Sequence, residues 1–207
     1  MLFGSAFHCW ILEPKEFPKR YSVSPKVDRR TKAGKAVWDA FVEGSKDMDV
    51  LTQQDMGLIL ELHASIREHA PAQKLIQECT EYELMIDGEI AGVNFRGIAD
   101  GLNPNYILDL KTCQDASPEA FQRTAFQSFY HEQAVAYQLL FGVQKFYWIA
   151  IEKNAPYNVA VYQQSQDAYL KAKHRLESLI RQWDAWDGKP QSYGNEIFML
   201  NLPKWAQ

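Results

Sequence analysis

Hydrophobic residues along the chain follow two periods, one typical of helices and one typical of strands. Apolar residues recur every three to four positions in the first kind of segment and alternate with polar residues in the second. Capping residues, glycines and prolines set the limits of the helices. The predicted helices are residues 3–13, 31–43, 52–69, 117–141 and 165–187. The predicted strands are residues 81–86, 90–99, 106–112, 145–151 and 156–163.

Turn residues connect the first three strands into a meander. Asp87-Gly88 is a typical hairpin dipeptide, and residues 101–105 combine glycine, asparagine and proline. Residues 14–30 are predicted to be irregular, and an apolar segment from Ile197 to Trp205 closes the chain. The order of elements indicates an α/β (α+β-like) fold, with a mixed central sheet flanked by helices, in a single domain of residues 1–207.

Composition narrows the class of protein only slightly. The chain has 207 residues, of which 46% are hydrophobic, and a net charge of −4, which is a mild argument against nucleic-acid binding. No apolar run is long enough to cross a bilayer, and the N-terminus lacks the form of a signal peptide, so a cytoplasmic location is expected. Three widely spaced cysteines without a CxxC pair argue against a zinc site or a disulfide framework.

The most informative stretch is GIADGLNPNYILDLK, residues 97–111. If the turn closes a hairpin, Asp100 returns close to Asp109, and Lys111 lies on the same strand face as Asp109. Two such carboxylates repel each other unless a cation lies between them, and Mg²⁺ prefers oxygen ligands. The alternative is an ordinary solvated pair of charges on one face of a strand.

A basic cluster precedes and enters the helix predicted at residues 31–43. It is either a solvated loop or a segment that contacts backbone phosphates. Its candidate phosphate-binding residues are Arg29, Arg30, Lys32 and Lys35.

Taken in order, the motifs resemble the PD-(D/E)xK nuclease superfamily, and within it the exodeoxyribonuclease VIII (RecE-type) family of phage and prophage recombination exonucleases. The resemblance covers nearly the full length, although Ala99 stands where many superfamily members have proline before the aspartate. It rests on residues 4–8 (GSAFH), 12–14, 28–35, Glu81, 97–100 (GIAD), 109–112 (DLKT), Tyr130, Gln133, Tyr137 and 202–205 (LPKW).

The resemblance implies a role for each matching residue. Asp100 and Asp109 match the metal-binding acids, with the carbonyl of Leu110 completing the coordination, and Lys111 matches the catalytic lysine. His8, which by default is a packing histidine on its helix, matches a histidine beside the metal. The remaining matches are Glu81, an upstream glutamate that binds or organises metal, and Gln133 with Tyr137, a QxxxY motif that positions the motif strand and DNA.

The activity implied is that of a Mg²⁺-dependent exonuclease that degrades double-stranded DNA from its ends, working 5′ to 3′, with Mn²⁺ as a substitute metal. The implied partners are DNA ends, a single-strand annealing protein and further copies of the chain in a ring. Two alternatives stay open: a non-catalytic DNA-binding or recombination-partner module, and an endonuclease or nickase of the same superfamily.

Overall fold

The computed structural model describes residues 2–189, 197 and 199. Within these residues, most of the first elements are helices, and the five strands of the central sheet come later in the chain. The helices are α1 Leu2–Leu12, α2 Phe17–Arg20, α3 Lys32–Gly44, α4 Gln53–Glu68, α5 Ala70–Gln77, α6 Pro118–Gln127, α7 Tyr130–Phe141 and α8 Gln166–Asp184. The strands are β1 Tyr21–Val23, β2 Asp49–Leu51, β3 Glu81–Ile90, β4 Val93–Asn103, β5 Tyr106–Cys113, β6 Lys145–Glu152 and β7 Val159–Gln163.

The central sheet has five strands in the order β3-β4-β5-β6-β7. Only β5 and β6 are parallel, because α6 and α7 form the crossover between them; the other neighbours are antiparallel. A separate parallel pair joins β1 to β2. The mixed sheet flanked by helices, predicted from the order of elements, is therefore confirmed.

Each face of the sheet packs against a different set of helices. Leu108, Leu110 and Ile149 face the helices α1, α4 and α5. Ile107 and Trp148 face α6 and α7, with α8 packed outside α7. Because neighbouring residues of β5 point to opposite faces, Asp109 and Lys111 lie on the face covered by α6 and α7.

The capping signals located the starts of three helices correctly. The Thr31 hydroxyl accepts from the Gly34 N–H, and Ser165 caps α8 in the same way. Thr52 and Asp55 form a capping box, in which each side chain accepts from the other residue's backbone N–H. These local hydrogen bonds satisfy donors that a helix start leaves free, which is why they are visible in the sequence.

The predicted hairpin turn at Asp87-Gly88 is wrong. Strand β3 continues to Ile90, and the turn lies at Ala91-Gly92, where φ is +51° and +84°. Asp87 pairs with Arg96 of β4 in the ladder, and its carboxylate accepts a hydrogen bond from that arginine at 2.6 Å. The tertiary pairing thus overrides a local turn preference.

The turn predicted at residues 101–105 is shorter than expected. Strand β4 continues through Gly101 and Leu102 to Asn103, which pairs directly with Tyr106. The connection is Pro104-Asn105, stabilised by the Asn105 N–H donating to the Asn103 side chain at 2.9 Å.

The long helix predicted at residues 117–141 is two helices, α6 and α7. They meet at Phe129, whose φ of +58° breaks the helical path. The predicted helix end at Gly142 is confirmed, since Gly142 adopts a left-handed conformation. Residues of both helices belong to the same apolar cluster, so the hydrophobic pattern of the sequence does not mark the break.

Further differences lie at short elements. Helix α5, which His69 caps, and the elements α2, β1 and β2 were not predicted. The closing segment Ile197 to Trp205 lies outside the described residues apart from 197 and 199. Among the residues that the structure describes, no helix is both long and apolar enough to span a membrane.

Candidate active site

Strands β4 and β5 separate at the two aspartates. Their backbone pairing runs from Asn103↔Tyr106 to Gly101↔Leu108 and goes no further toward Asp100. Instead, the Asp100 carboxylate accepts from the backbone N–H of Leu110 at 2.7 Å. A side chain therefore takes the place of a main-chain partner, which opens the sheet between the two strands and fixes the direction of Asp100.

Asp109 and Lys111 form a buried ion pair on β5. The Lys111 ammonium lies 2.9 Å from both carboxylate oxygens of Asp109 and donates a hydrogen bond to Oδ1. Asp109 is only 4% exposed, and its Oδ2 has no hydrogen bond within the described part of the chain. On the other side, the Tyr130 ring lies 4.9 Å from the ammonium. The lysine is thus held by a carboxylate and an aromatic face.

Three side chains beside this pair converge as a group of ligand atoms. His8 of α1, Glu83 of β3 and Asp100 of β4 each bring one nitrogen or oxygen to within 4.8 Å of the others. His8 Nδ1 lies 3.4 Å from Asp100 Oδ2. Imidazole nitrogen and carboxylate oxygens are ligands for divalent cations, so the group is chemically suited to hold one. Asp109 stands next to it, paired with Lys111.

Glu83 occupies the place expected for Glu81. Glu81 is exposed and pairs with Leu102 at the start of β3, so it is not part of the group. Glu83 falls in the register between Tyr82↔Gly101 and Leu84↔Ala99, directly across from Asp100. Its φ of +49° interrupts the strand at this point. The two glutamates are two residues apart on β3, so strand alternation alone does not separate them. The structure places Glu83 beside Asp100, and the role implied for Glu81 stays a prediction.

Electrostatics within the site follow from burial and from the closeness of the acids. Burial and then the Asp100 charge raise the pKa of Asp109 to about 6, against the opposing pull of Lys111. Burial and Asp100 also raise the pKa of Glu83. Burial lowers the pKa of His8, but its hydrogen bond and attraction to Asp100 outweigh this and the pKa is raised. The site therefore carries excess negative charge that a cation would neutralise.

The raised pKa of Asp109 predicts that the metal-free protein loses stability as pH rises from about 4 to about 6. In this window the folded protein keeps the Asp109 proton, whereas the unfolded chain, with a pKa near 3.8, has released it. The slope contributed by one group is at most about 1.4 kcal/mol per pH unit. Denaturant unfolding with a chelator present, for the natural protein and for Asp109→Asn, measures this term. The difference between the two proteins should change across this window; a constant difference would contradict the prediction.

Helix α7 contacts both Lys111 and the strand that carries Asp100. Tyr130 contacts Lys111 near the start of the helix, and Tyr137 lies two turns later. Tyr137 Cε1 would be 3.1 Å from a Cβ placed on Gly97, so the tyrosine packs directly on the strand that carries Asp100. Gln133, half-buried, lies one turn before Tyr137. This arrangement is compatible with the positioning role implied for Gln133 and Tyr137, which stays a prediction.

The basic residues around the start of α3 divide into two kinds. Arg30 is paired with Asp28 at 3.0 Å, and the Arg29 guanidinium lies 4.5 Å from the centre of the Trp38 ring. Lys32 and Lys35 are exposed in the first turn of the helix, with no ion pair inside the described residues. The two lysines are therefore the ones most available to a phosphate.

Comparison with known proteins supports the fold. No curated protein matches the sequence. The crystal structure of a putative exonuclease from Eubacterium rectale has a TM-score of 0.57 at 15% identity, covering 87% of this chain. This chain spans only 64% of that protein's length.

Two further crystal structures are more distantly similar. They are a phage-related exonuclease from Haemophilus somnus (0.40; 14% identity; 77% and 91% of the two chains covered) and an alkaline exonuclease from Laribacter hongkongensis (0.36; 14%; 83% and 93%).

The family itself is given by a sequence model. The model of the PDDEXK-like domain of unknown function (DUF3799) matches residues 1–192, which is nearly the whole chain. The superfamily expected from the sequence motifs is thereby confirmed. The roles that the resemblance implies for Asp100, Asp109 and Lys111 stay predictions. This chain belongs to the PDDEXK-like DUF3799 family.

Proposed function

We propose that this protein is a metal-dependent deoxyribonuclease that hydrolyses phosphodiester bonds from the ends of double-stranded DNA. The observation that carries the proposal is the buried Asp109–Lys111 pair next to the His8–Glu83–Asp100 group. Membership of a PDDEXK-like family supports the same conclusion. The proposal includes Mg²⁺ as the metal, 5′ to 3′ polarity and a role in phage-type recombination, which the sequence resemblance implies.

The residues of the site divide the chemistry between them. His8, Glu83 and Asp100 would hold a divalent cation, which would supply Lewis-acid chemistry: a lower pKa for bound water and neutralisation of phosphate charge. Asp109, on the adjoining strand, would contribute a carboxylate oxygen to the same cation, as the resemblance implies, while Lys111 lies 2.9 Å from both of its oxygens.

Lys111 provides the fixed positive charge of the site. The carboxylate of Asp109 and the charge of Asp100 raise its pKa against the effect of burial, so it stays an ammonium ion at neutral pH. A preorganised ammonium in a poorly hydrated site stabilises the negative charge that develops on the phosphate in the transition state. Its role is electrostatic, whereas a neutral amine would be required for it to act as a base.

A plasmid assay separates the proposed activity from its rivals. An exonuclease digests linear duplex DNA with Mg²⁺ and leaves the covalently closed circle intact. An endonuclease or nickase cuts the circle, and a binding module leaves both forms unchanged. Chelator should abolish digestion. Labels at the 5′ and 3′ ends give the polarity, and intact linear DNA in the presence of Mg²⁺ and Mn²⁺ would refute the proposal.

Replacement of Lys32 and Lys35 by glutamine is expected to weaken the salt dependence of DNA binding. Each lost phosphate contact lowers the slope of log K against log salt by about 0.9. Binding is measured with a chelator to prevent cleavage. The matched control replaces Lys171 and Lys173, on α8, in the same way. Equal slopes for the natural protein and the Lys32/Lys35 variant would assign these lysines to a solvated surface.

A further inference from the structure

An exposed aromatic surface lies at the junction of α6 and α7. It consists of Phe126, Phe129 and Arg175, hereafter the aromatic patch. Phe126 is 64% exposed and Phe129 is 45% exposed. The Arg175 guanidinium, from α8, lies 5.3 Å and 4.4 Å from the centres of the two rings. Among the described residues, no other arginine lies over two aromatic rings.

The patch is held in place by interactions beneath it. Glu132, which is only 7% exposed, binds Arg175 at 3.1 Å. The guanidinium is therefore fixed before any ligand arrives. Phe129 has φ +58° and ψ +29°, a left-handed conformation that costs energy for residues other than glycine. The Phe129 side chain makes no capping hydrogen bond that would offset this cost.

The position of the patch relates it to the candidate active site. Phe129 directly precedes Tyr130, so their Cα atoms are about 3.8 Å apart, and the Tyr130 ring contacts Lys111. Arg175 reaches the first turn of α7 through its ion pair with Glu132. The patch and Lys111 are therefore both connected to the start of α7, through the adjacent residues Phe129 and Tyr130.

Resting on the proposed function, we propose that the aromatic patch binds an unpaired base at the end of the DNA substrate. Aromatic rings with a neighbouring arginine are the surface on which unpaired bases stack. Bases inside a duplex are already stacked on both sides, so only a frayed or single-stranded base offers a free face. The patch would then hold one strand of the opened end close to the phosphate that lies at Lys111.

A fluorescent base analogue tests this assignment directly. Duplexes carry 2-aminopurine at each terminal position or at an internal position, and binding is followed with a chelator so that no cleavage occurs. Stacking on the patch should change the emission of one terminal probe and leave the internal probe unchanged. Phe126→Leu and Phe129→Leu remove the ring and keep the apolar volume. Each should remove that change and weaken binding of the frayed end by about tenfold.

Two further variants separate base stacking from a structural role. Arg175→Lys keeps the charge opposite Glu132 but loses the planar group, and should also reduce the terminal signal. Trp183→Leu removes an exposed ring, 63% exposed, eight residues further along α8 from Arg175, and should behave like the natural protein. Thermal unfolding checks that the phenylalanine variants stay folded. Unchanged emission and affinity in folded Phe126→Leu and Phe129→Leu would overturn the inference.

The base-analogue test of the aromatic patch gives a result whether or not the protein cleaves DNA. A terminal signal that depends on Phe129, in a protein that does not digest linear DNA, would support the patch and refute the proposed nuclease. Digestion by the natural protein, together with a terminal signal that the leucine variants retain, would refute the patch alone.

Discussion

Replacement of Lys111 by methionine is expected to lower the rate of digestion of linear duplex DNA by a factor of about 10² to 10³. This is the effect of removing one preorganised group that stabilises transition-state charge. Methionine keeps an unbranched side chain but removes the ammonium, which lies 2.9 Å from Asp109 and 4.9 Å from the centre of the Tyr130 ring. The rate is measured under single-turnover conditions with saturating Mg²⁺, so that weaker metal binding does not contribute.

The variant also alters Asp109, because the buried carboxylate loses its cation. Circular dichroism and thermal unfolding therefore accompany the rate measurement and establish that the variant is folded. Lys171→Met is the matched control, since Lys171 forms an exposed ion pair with Asp167. Digestion by folded Lys111→Met at a rate within a factor of two or three of the control would remove the lysine from the mechanism.

Replacement of Glu83 by glutamine is expected to weaken Mn²⁺ binding by at least about tenfold, whereas the same change at Glu81 should leave it unchanged. Even residues that only orient metal ligands cost 10- to 100-fold in affinity when replaced. Glu83 belongs to the convergent group with His8 and Asp100, and Glu81, two positions earlier on the same strand, does not. The pair of variants is well matched, because each converts one glutamate of β3 to its neutral isostere.

Isothermal calorimetry with Mn²⁺ gives both affinities directly, without DNA or catalysis. Thermal unfolding gives a second measure, since an ion that binds only the folded protein raises its unfolding temperature. A large loss of affinity in Glu81→Gln, with normal binding by Glu83→Gln, would restore the residue predicted from the sequence and place the metal further along β3.

Strand periodicity accounts for the part of the site that the sequence predicted. Alternation placed Asp109 and Lys111 on one face, and the neighbouring turn brought Asp100 to the same region; the structure brings these three groups together. The sequence resemblance added His8, which no local pattern distinguishes from a packing histidine. It lies 3.4 Å from Asp100 because α1 packs against β4.

The features that the sequence did not predict depend on tertiary pairing or on unusual backbone angles. Glu81 and Glu83 have the same periodicity, and only the register with β4 decides which of them faces Asp100. The positive φ at Glu83 and at Phe129 occurs at residues with no preference for it. The surrounding packing imposes both conformations. The local sequence alone favours a regular strand at Glu83 and an unbroken helix at Phe129.

The short connection between β4 and β5 has a consequence for the evolution and redesign of the chain. Pro104-Asn105 sets the alignment of the two strands and hence the distance along them at which the acids meet. Lengthening this connection by one residue would offset the strands and turn Asp109 and Lys111 to the opposite side of the sheet, among the apolar residues that face α1 and α4. The length of this connection therefore determines whether the acids meet. Insertions there should be far less tolerated than at the distant turn Ala91-Gly92.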